Sequence, residues 1–399
     1  MNIKKIITAE IMAMVAMSTL AAAPTITGVT AQQRYPWNGK VDISYTVTGD
    51  IAAEAKQKAV LTSLKVTAQD KVANKTYTAT KLSGDRALTA GTHKFVWDMN
   101  AEGLTFKSSN VVFNVSCETT PATYCVIDLS AGADATSYPV MYLAEPPSGG
   151  FNVDEYKTSK LVLRRLEAGT FIMGDDQNDE SHRVTHTKPF FCGIFEMTQR
   201  QYELVTGTNP VSGGKGNTYP VYGITYDKIR GSSNGAEWPS SSAVDSLSFL
   251  GKLRSRTGLD FDLPTDAQWE YACRAGTTTK YSYGNSADGN YMWYRYSQST
   301  PSTDSPHPVG LKIANPWGLY DMHGNVAEWC LDWYGTLSYG TDPKGSTTAW
   351  TSGAITSWCR VVRNGGCNSV PDYCTSSFRN YIEPMYAGGG FRLARTLSN

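Results

Sequence analysis

The 399-residue chain has only five histidines and no surplus of charge, its 36 Lys and Arg being matched by 36 Asp and Glu. Without a basic excess, no electrostatic argument points to nucleic acid or to an anionic membrane surface. Past the N-terminus no run approaches the ~18 apolar residues of a membrane span, so none is expected once a leader is removed. A Ser-His-Asp elbow, a phosphate loop and a dinucleotide fingerprint are also missing. The glycines of "GGGF" (388–391) precede a strand-like "RLAR" and no helix.

What is present is aromatic and turn-rich: 23 Tyr, 10 Trp and 36 Gly. Residues 1–23 read as a secretory signal peptide, with Lys4 and Lys5, then "IITAEIMAMVAMSTL", then Ala21-Ala22-Ala23 before Pro24. Glu10 interrupts the apolar stretch, and the alternative is a buried first helix. The signal reading makes the protein secreted or periplasmic, where disulfides persist. Eight cysteines suit that compartment without fixing a pairing, and Cys117 and Cys125, flanking "ETTPATY", are read as a local disulfide.

The length favours two domains or three. From 24 to 116 short runs alternate with period two: Val41, Ile43, Tyr45 and Val47 on one face, then Val111, Phe113 and Val115. An all-β sandwich of immunoglobulin or fibronectin type is expected. With one histidine, His93, no cysteine and no clustered carboxylates, it is a spacer or interaction module. Residues 117–158, with proline pairs and "PPSGG", read as a connector.

From 159 to 399 long Gly/Trp-rich loops are punctuated by a few helices. Thr198 with Gln201, and Thr265 with Gln268, form capping boxes whose helices stop at Gly207 and Gly276. Between them "SSAVDSLSFLGKLRSRTG" sets Val244, Leu247, Leu250 and Leu253 near one helical face, ending at Gly258. Cys273 shares a face with Trp269 and Ala272 and is expected in the core.

Three stretches offer chemistry. In "RNGGCNSVPDYCTSSFRN" (363–380) Cys367 and Cys374 are a redox or copper-binding pair, a structural disulfide, or one inherited position beside an accidental one. His182 and His186, four apart, suit zinc or iron, but with no third ligand in reach they read as solvated strand residues. Asp321 and Glu328 lie on either side of Gly324-Asn325, which suggests a wrapped loop. Calcium takes six to eight oxygens, carbonyls included, from such loops; the alternative is that both carboxylates cap neighbouring loops. The acidic "GDDQNDE" (174–180) reads as a solvated turn with a weak calcium contact open to it.

The segments "AGTFIMG" (168–174), "FEMTQRQYE" (195–203), "LPTDAQWEYACRAGT" (263–277), "NPWGLYDMHGNVAEWCLDWY" (315–334), "RVVRNGG" (360–366), "CTSSFR" (374–379) and "GFRLAR" (390–395) run in the order found in one family. In them the chain resembles the formylglycine-generating enzymes, or sulfatase-modifying factor domains. The resemblance implies an α+β, C-type lectin-like domain of low regular secondary structure over 159–399.

It also implies oxygen-dependent oxidation of a sulfatase cysteine at a Cu(I) ion held by two thiolates five positions apart. Aligning Arg363 with the start of the family's basic-Gly-Gly-Ser segment puts Cys374 at the second thiolate and Ser369 at the first. Gly366 then replaces the serine, and Cys367 falls at an aromatic position. An alcohol is a hard, weak ligand for soft Cu(I). Cys367 substitutes only if Pro371-Asp372 turns the segment back.

Further implications are a Cys330–Cys374 link or close thiol contact, and a Ca²⁺ ion on the Asp321 and Glu328 side chains and the Gly324 and Val326 carbonyls. A second calcium loop is faintly matched at Asn290 and Tyr291, and Cys359 and Cys192 stay unassigned. The histidine-rich domain of the family's iron-dependent sulfoxide-synthase branch is absent. Two functions remain: an extracytoplasmic oxidoreductase acting on a protein or peptide, with Cys374 as residual thiol, or a calcium-stabilised binding or surface module without that chemistry.

Overall fold

The computed structural model describes residues 25–34, 38–48, 59–86, 91–104, 110–175, 181–211, 216–295, 305–335, 339–345 and 359–397. The signal-peptide segment 1–23 and most of the acidic loop, 176–180, lie outside the described residues. The chain divides into two compact units, Met1–Ala122 and Thr123–Asn399. Among the described residues no helix is long and apolar enough to cross a membrane.

In the first unit β1 (Thr25–Gln33), β2 (Lys40–Thr48), β6 (Gly91–Asp98) and β5 (Leu82–Gly84) form one antiparallel sheet in the order β1-β2-β6-β5. A second is ordered β4 (Lys75–Thr78), β3 (Ala59–Asp70), β7 (Val111–Pro121). Alternation decides which residues face in: Val41, Ile43, Tyr45 and Val47 of β2 are buried while Asp42 is exposed. They pack in one cluster with Phe95 and Trp97 of β6, Val66 and Ala68 of β3, and Val111, Phe113 and Val115 of β7.

The second unit is built on a five-stranded antiparallel sheet in the order β18 (Ala394–Thr396), β13 (Phe190–Gly193), β10 (Lys160–Leu166), β8 (Tyr124–Asp128), β9 (Val140–Leu143). The region read as a connector therefore supplies two strands of this sheet. Both sheet faces are covered, so β8 is buried at four of its five positions instead of alternating. Cys125, Ile127, Leu161, Leu163 and Phe191 join one cluster; Tyr124, Val126, Val162, Phe190 and Cys192 join another.

The first cluster also takes Tyr202 and Val205 of α2 (Gln199–Thr206), Tyr226 and Ile229 of α3 (Tyr226–Arg230), and Leu250 and Leu253 of α4 (Phe249–Thr257); α1 is the short Asp154–Thr158. The second takes Trp269, Tyr271, Ala272 and Cys273 of α5 (Asp266–Arg274). Both expected capping boxes form, at Thr198/Gln201 and Thr265/Gln268. The α4 helix starts later than its apolar spacing implies, because Ser248 caps it, and Leu247 is left 84% exposed. Helix α5 ends on Ala275, itself left-handed at φ 49°, one residue before the expected glycine.

Two small sheets complete the unit: β11 (Gly169–Met173), β12 (His182–His186), β15 (Gly340–Thr341), and β14 (Glu328–Trp333), β16 (Arg360–Arg363), β17 (Asn380–Ile382). The pairing of β12 with β15 is parallel. Antiparallel pairing sets Glu328 of β14 opposite Arg363 of β16, where both candidate loops leave the sheet.

Candidate functional site

After β16 the chain turns through Asn364-Gly365-Gly366 and returns in a short 3-10 turn, Pro371–Cys374, started by its proline. The return packs tightly against the outgoing turn. A Cβ added to Gly365 would lie 2.5 Å from Cys374 Sγ, 2.9 Å from the Tyr373 carbonyl and 3.1 Å from Ser369 Cβ. Only a glycine permits that approach, so the two aligned positions, Ser369 and Cys374, do converge on one backbone point.

Their chemistry does not match a pair of thiolates. Cys374 is 0% exposed, packed with Tyr281 and Met292, and its sulfur reaches the Val370 carbonyl at 3.9 Å. Burial pushes its thiol up to about 12, against a backbone hydrogen bond from Gly365, and nearby Cys367 adds to the rise. Ser369 is half-buried, and its hydroxyl oxygen accepts the Gly366 N–H at 2.9 Å. Its carbonyl accepts the Arg295 N–H at 2.9 Å. Cys367 is itself buried, with its N–H donated to the Asn325 carbonyl at 2.8 Å. One protonated thiol and one engaged alcohol do not make the donor set Cu(I) requires.

The cysteine pairings read from sequence are corrected. Cys330 and Cys374 are both free thiols in separate apolar clusters. Cys125 is likewise free, pushed by burial to about 12; the Cys117 side chain lies outside the described residues. Cys273 is in the core as expected, its thiol directed at the Met322 carbonyl at 3.4 Å.

The Asp321–Glu328 loop is wrapped: Asp321, Gly324 and Asn325 have φ of 54°, 78° and 68°. A side chain at Gly324 would collide with the Trp293 carbonyl. Yet most of the oxygens assigned to calcium have other partners. Glu328 is fully buried and held by Arg392 at 2.6 and 2.7 Å, with Trp269 Nε1 donating at 2.7 Å. The Gly324 and Val326 carbonyls both accept from Asn364 Nδ2, at 2.6 and 3.1 Å. Asp321 Oδ2 accepts the Gly310 N–H at 2.7 Å, and only its Oδ1, buried, has no partner. One open oxygen does not satisfy an ion that takes six or more, so the residues present do not fit the expected calcium site.

Three residues that sequence reasoning missed organise this loop. Glu196, 1% exposed, accepts from Asn325 Nδ2 at 2.6 Å and from the Val326 N–H at 3.2 Å. Burial, with the Asp321 and Glu328 charges beside it, holds its carboxyl well above the usual range. Burial likewise raises Asp321 to about 6. Arg392 also donates to the Gly193 and Tyr320 carbonyls, at 3.0 and 3.1 Å, tying β13 to the loop. Asn364 is the third, standing at the first glycine of the basic-Gly-Gly-Ser segment; that departure was the available signal.

His323, inside the loop, is fixed as a neutral ring. Its Nδ1 donates to the Cys374 carbonyl at 2.7 Å, leaving Nε2 to accept from Ser282 N and Oγ at 3.1 and 2.9 Å. Burial lowers it to about 4. The other histidine pair departs from the solvated reading. His186 is buried among Phe171, Phe190 and Tyr271, and His182 stands edge-on to Tyr339 at 4.4 Å. Among the described residues no three His, Cys, Asp or Glu side chains could hold a metal together.

Sheet, capped helices and the β14–β16 loops define a sulfatase-modifying-factor type of domain. Residues 154–397 match the family described as "Sulfatase-modifying factor enzyme 1-like domain", and the chain belongs to it. It is 33% identical over 262 residues to "Serine/threonine-protein kinase pkn1" of Chlamydia caviae, covering 58% of this chain and 37% of that one. To the "Formylglycine-generating enzyme" of Mus musculus it is 25% identical over 321 residues, covering 68% and 85%. Among solved structures, "Treponema denticola variable protein 1" matches at 25% identity and a TM-score of 0.48, covering 59% of this chain and 95% of that one.

Proposed function

We propose that residues 123–399 form an extracytoplasmic binding module that does not generate formylglycine. The single observation that carries this reading is Cys374, a sealed, protonated thiol whose aligned partner is the alcohol of Ser369. The ligand is a protein or peptide: the half-exposed Tyr373 ring, stacked on Phe378 at 4.7 Å, offers an aromatic contact on the same turn. The signal-peptide reading of residues 1–23 supports export to the periplasm or the medium. The first unit serves as an immunoglobulin-like spacer or interaction module, supported by its two antiparallel sheets around one core.

The second reading, a copper oxidoreductase acting on a sulfatase cysteine, is favoured by family membership and by Cys367 lying near Cys374. The test is incubation of the purified chain with Cu(I), oxygen and a sulfatase-motif peptide, followed by mass spectrometry. No change in peptide mass is expected, and the loss accompanying aldehyde formation overturns the binding-module reading. Ser369→Cys supplies the second sulfur, so it should compete better than wild type against a Cu(I) indicator.

A further inference from the structure

We propose that the side-chain amide of Asn364 takes the place of a cation in the Asp321–Glu328 loop, so that this loop is closed by the chain itself and needs no Ca²⁺. Asn364 is 2% exposed, and its Nδ2 points at three backbone carbonyls at once, Asp321 at 3.0 Å, Gly324 at 2.6 Å and Val326 at 3.1 Å. Three converging carbonyls form a concentrated patch of negative potential that must be met by a donor or a cation. Here two amide hydrogens, one of them shared, meet it. The other end of the same group is equally engaged, Oδ1 accepting from the Gly324 and Gly365 N–H groups. The amide thus joins the loop to the turn after β16 from both of its faces.

Spacing and charge agree with this assignment. Ca²⁺ holds oxygens at about 2.3–2.6 Å, whereas two of the three carbonyls stand at 3.0 and 3.1 Å, the range of N–H···O bonds. Glu328, the carboxylate best placed to balance a cation, is already neutralised by Arg392. Backbone geometry also fits. Asn364 has φ 61°, a left-handed conformation that asparagine tolerates better than most side chains and that aims its amide inward.

The experiment is calorimetric titration of the chelator-treated full chain with CaCl₂, paired with thermal melts in chelator and in millimolar Ca²⁺. Wild type is expected to show no binding heat and a melt unchanged by either condition. Asn364→Asp puts a carboxylate among the carbonyls. In chelator its melting temperature should fall by about 5 °C or more; Ca²⁺ should restore it, with a Kd of about 10⁻⁴ to 10⁻³ M. Asn364→Gly, which suits the same φ, should also lose stability in chelator and regain part of it with Ca²⁺. The proposal is overturned if wild type binds Ca²⁺ and Asp321→Asn abolishes that binding. It is equally overturned if Asn364→Asp melts like wild type and ignores Ca²⁺. Should Asn364→Asp not fold, Asn364→Gly decides: a melt as high as wild type, indifferent to Ca²⁺, refutes the plug.

Discussion

Replacing Arg392 by Met should be among the most damaging single changes in the second unit. Its guanidinium and the Glu328 carboxylate are both 0% exposed and meet through two bonds of 2.6 and 2.7 Å. Methionine keeps much of the volume but strands the carboxylate with Trp269 Nε1 as its remaining donor. It also removes the donors to the Gly193 and Tyr320 carbonyls. Breaking a buried pair from one side costs about 3–5 kcal/mol, which for a unit of this size is a drop of roughly 6–20 °C in melting temperature. Urea denaturation followed by tryptophan fluorescence reads it directly, since Trp269 and Trp329 are fully buried. Adding Glu328→Gln to Arg392→Met removes the stranded charge and should recover a large part of the loss. A loss under about 1 kcal/mol for the single variant, or a double variant as unstable as the sum of both singles, refutes the pairing argument.

Two further outcomes follow from the same geometry. Gly365→Ala should cost about 1–3 kcal/mol through overpacking against Cys374 Sγ and the Tyr373 carbonyl; an unchanged melt would mean that the return turn does not pack on Gly365. Asp332, raised to about 7 by burial and then by the Asp266 charge, keeps its proton in the fold where the unfolded chain has lost it. Its contribution is therefore greatest below about pH 4 and is lost as pH rises through about 7. A carboxyl ¹³C titration assigned with Asp332→Asn should show a midpoint near 7, and a midpoint below 5 would refute the burial argument.

What the sequence made legible was local grammar. Thr198/Gln201 and Thr265/Gln268 mark helix starts because a capping box is set by four consecutive residues. Period-two runs around Val41 and Phe113 marked strands with one buried face for the same reason. The family was readable from ordered segments, now matched over 154–397. What was not legible depends on distant partners. "YCVID" and "VMYL" sit among prolines and small residues, and only pairing to β10 and β8 makes them strands. Arg230, Arg360, Arg363 and Arg392 are fully buried, against the ordinary expectation for charge; their acceptors lie as far away as Glu328 from Arg392 or Asp266 from Arg363. The oxygens of the calcium set were each plausible alone, and the partners that engage Glu328, the Gly324 and Val326 carbonyls and Asp321 Oδ2 come from other segments.

The order of strands in the five-stranded sheet has a bearing on biogenesis. Its flank at β13 is completed by β18, residues 394–396, although the other four strands are all made by residue 193. About two hundred residues must emerge before that edge is capped and before Arg392 reaches Glu328. A ribosome stalled or halted upstream of 392 would release a half-built sheet with an open hydrogen-bonding edge and a lone buried acid, a species suited to proteolysis or self-association. Fusion partners are accordingly better attached beyond a flexible spacer than directly after the final strand.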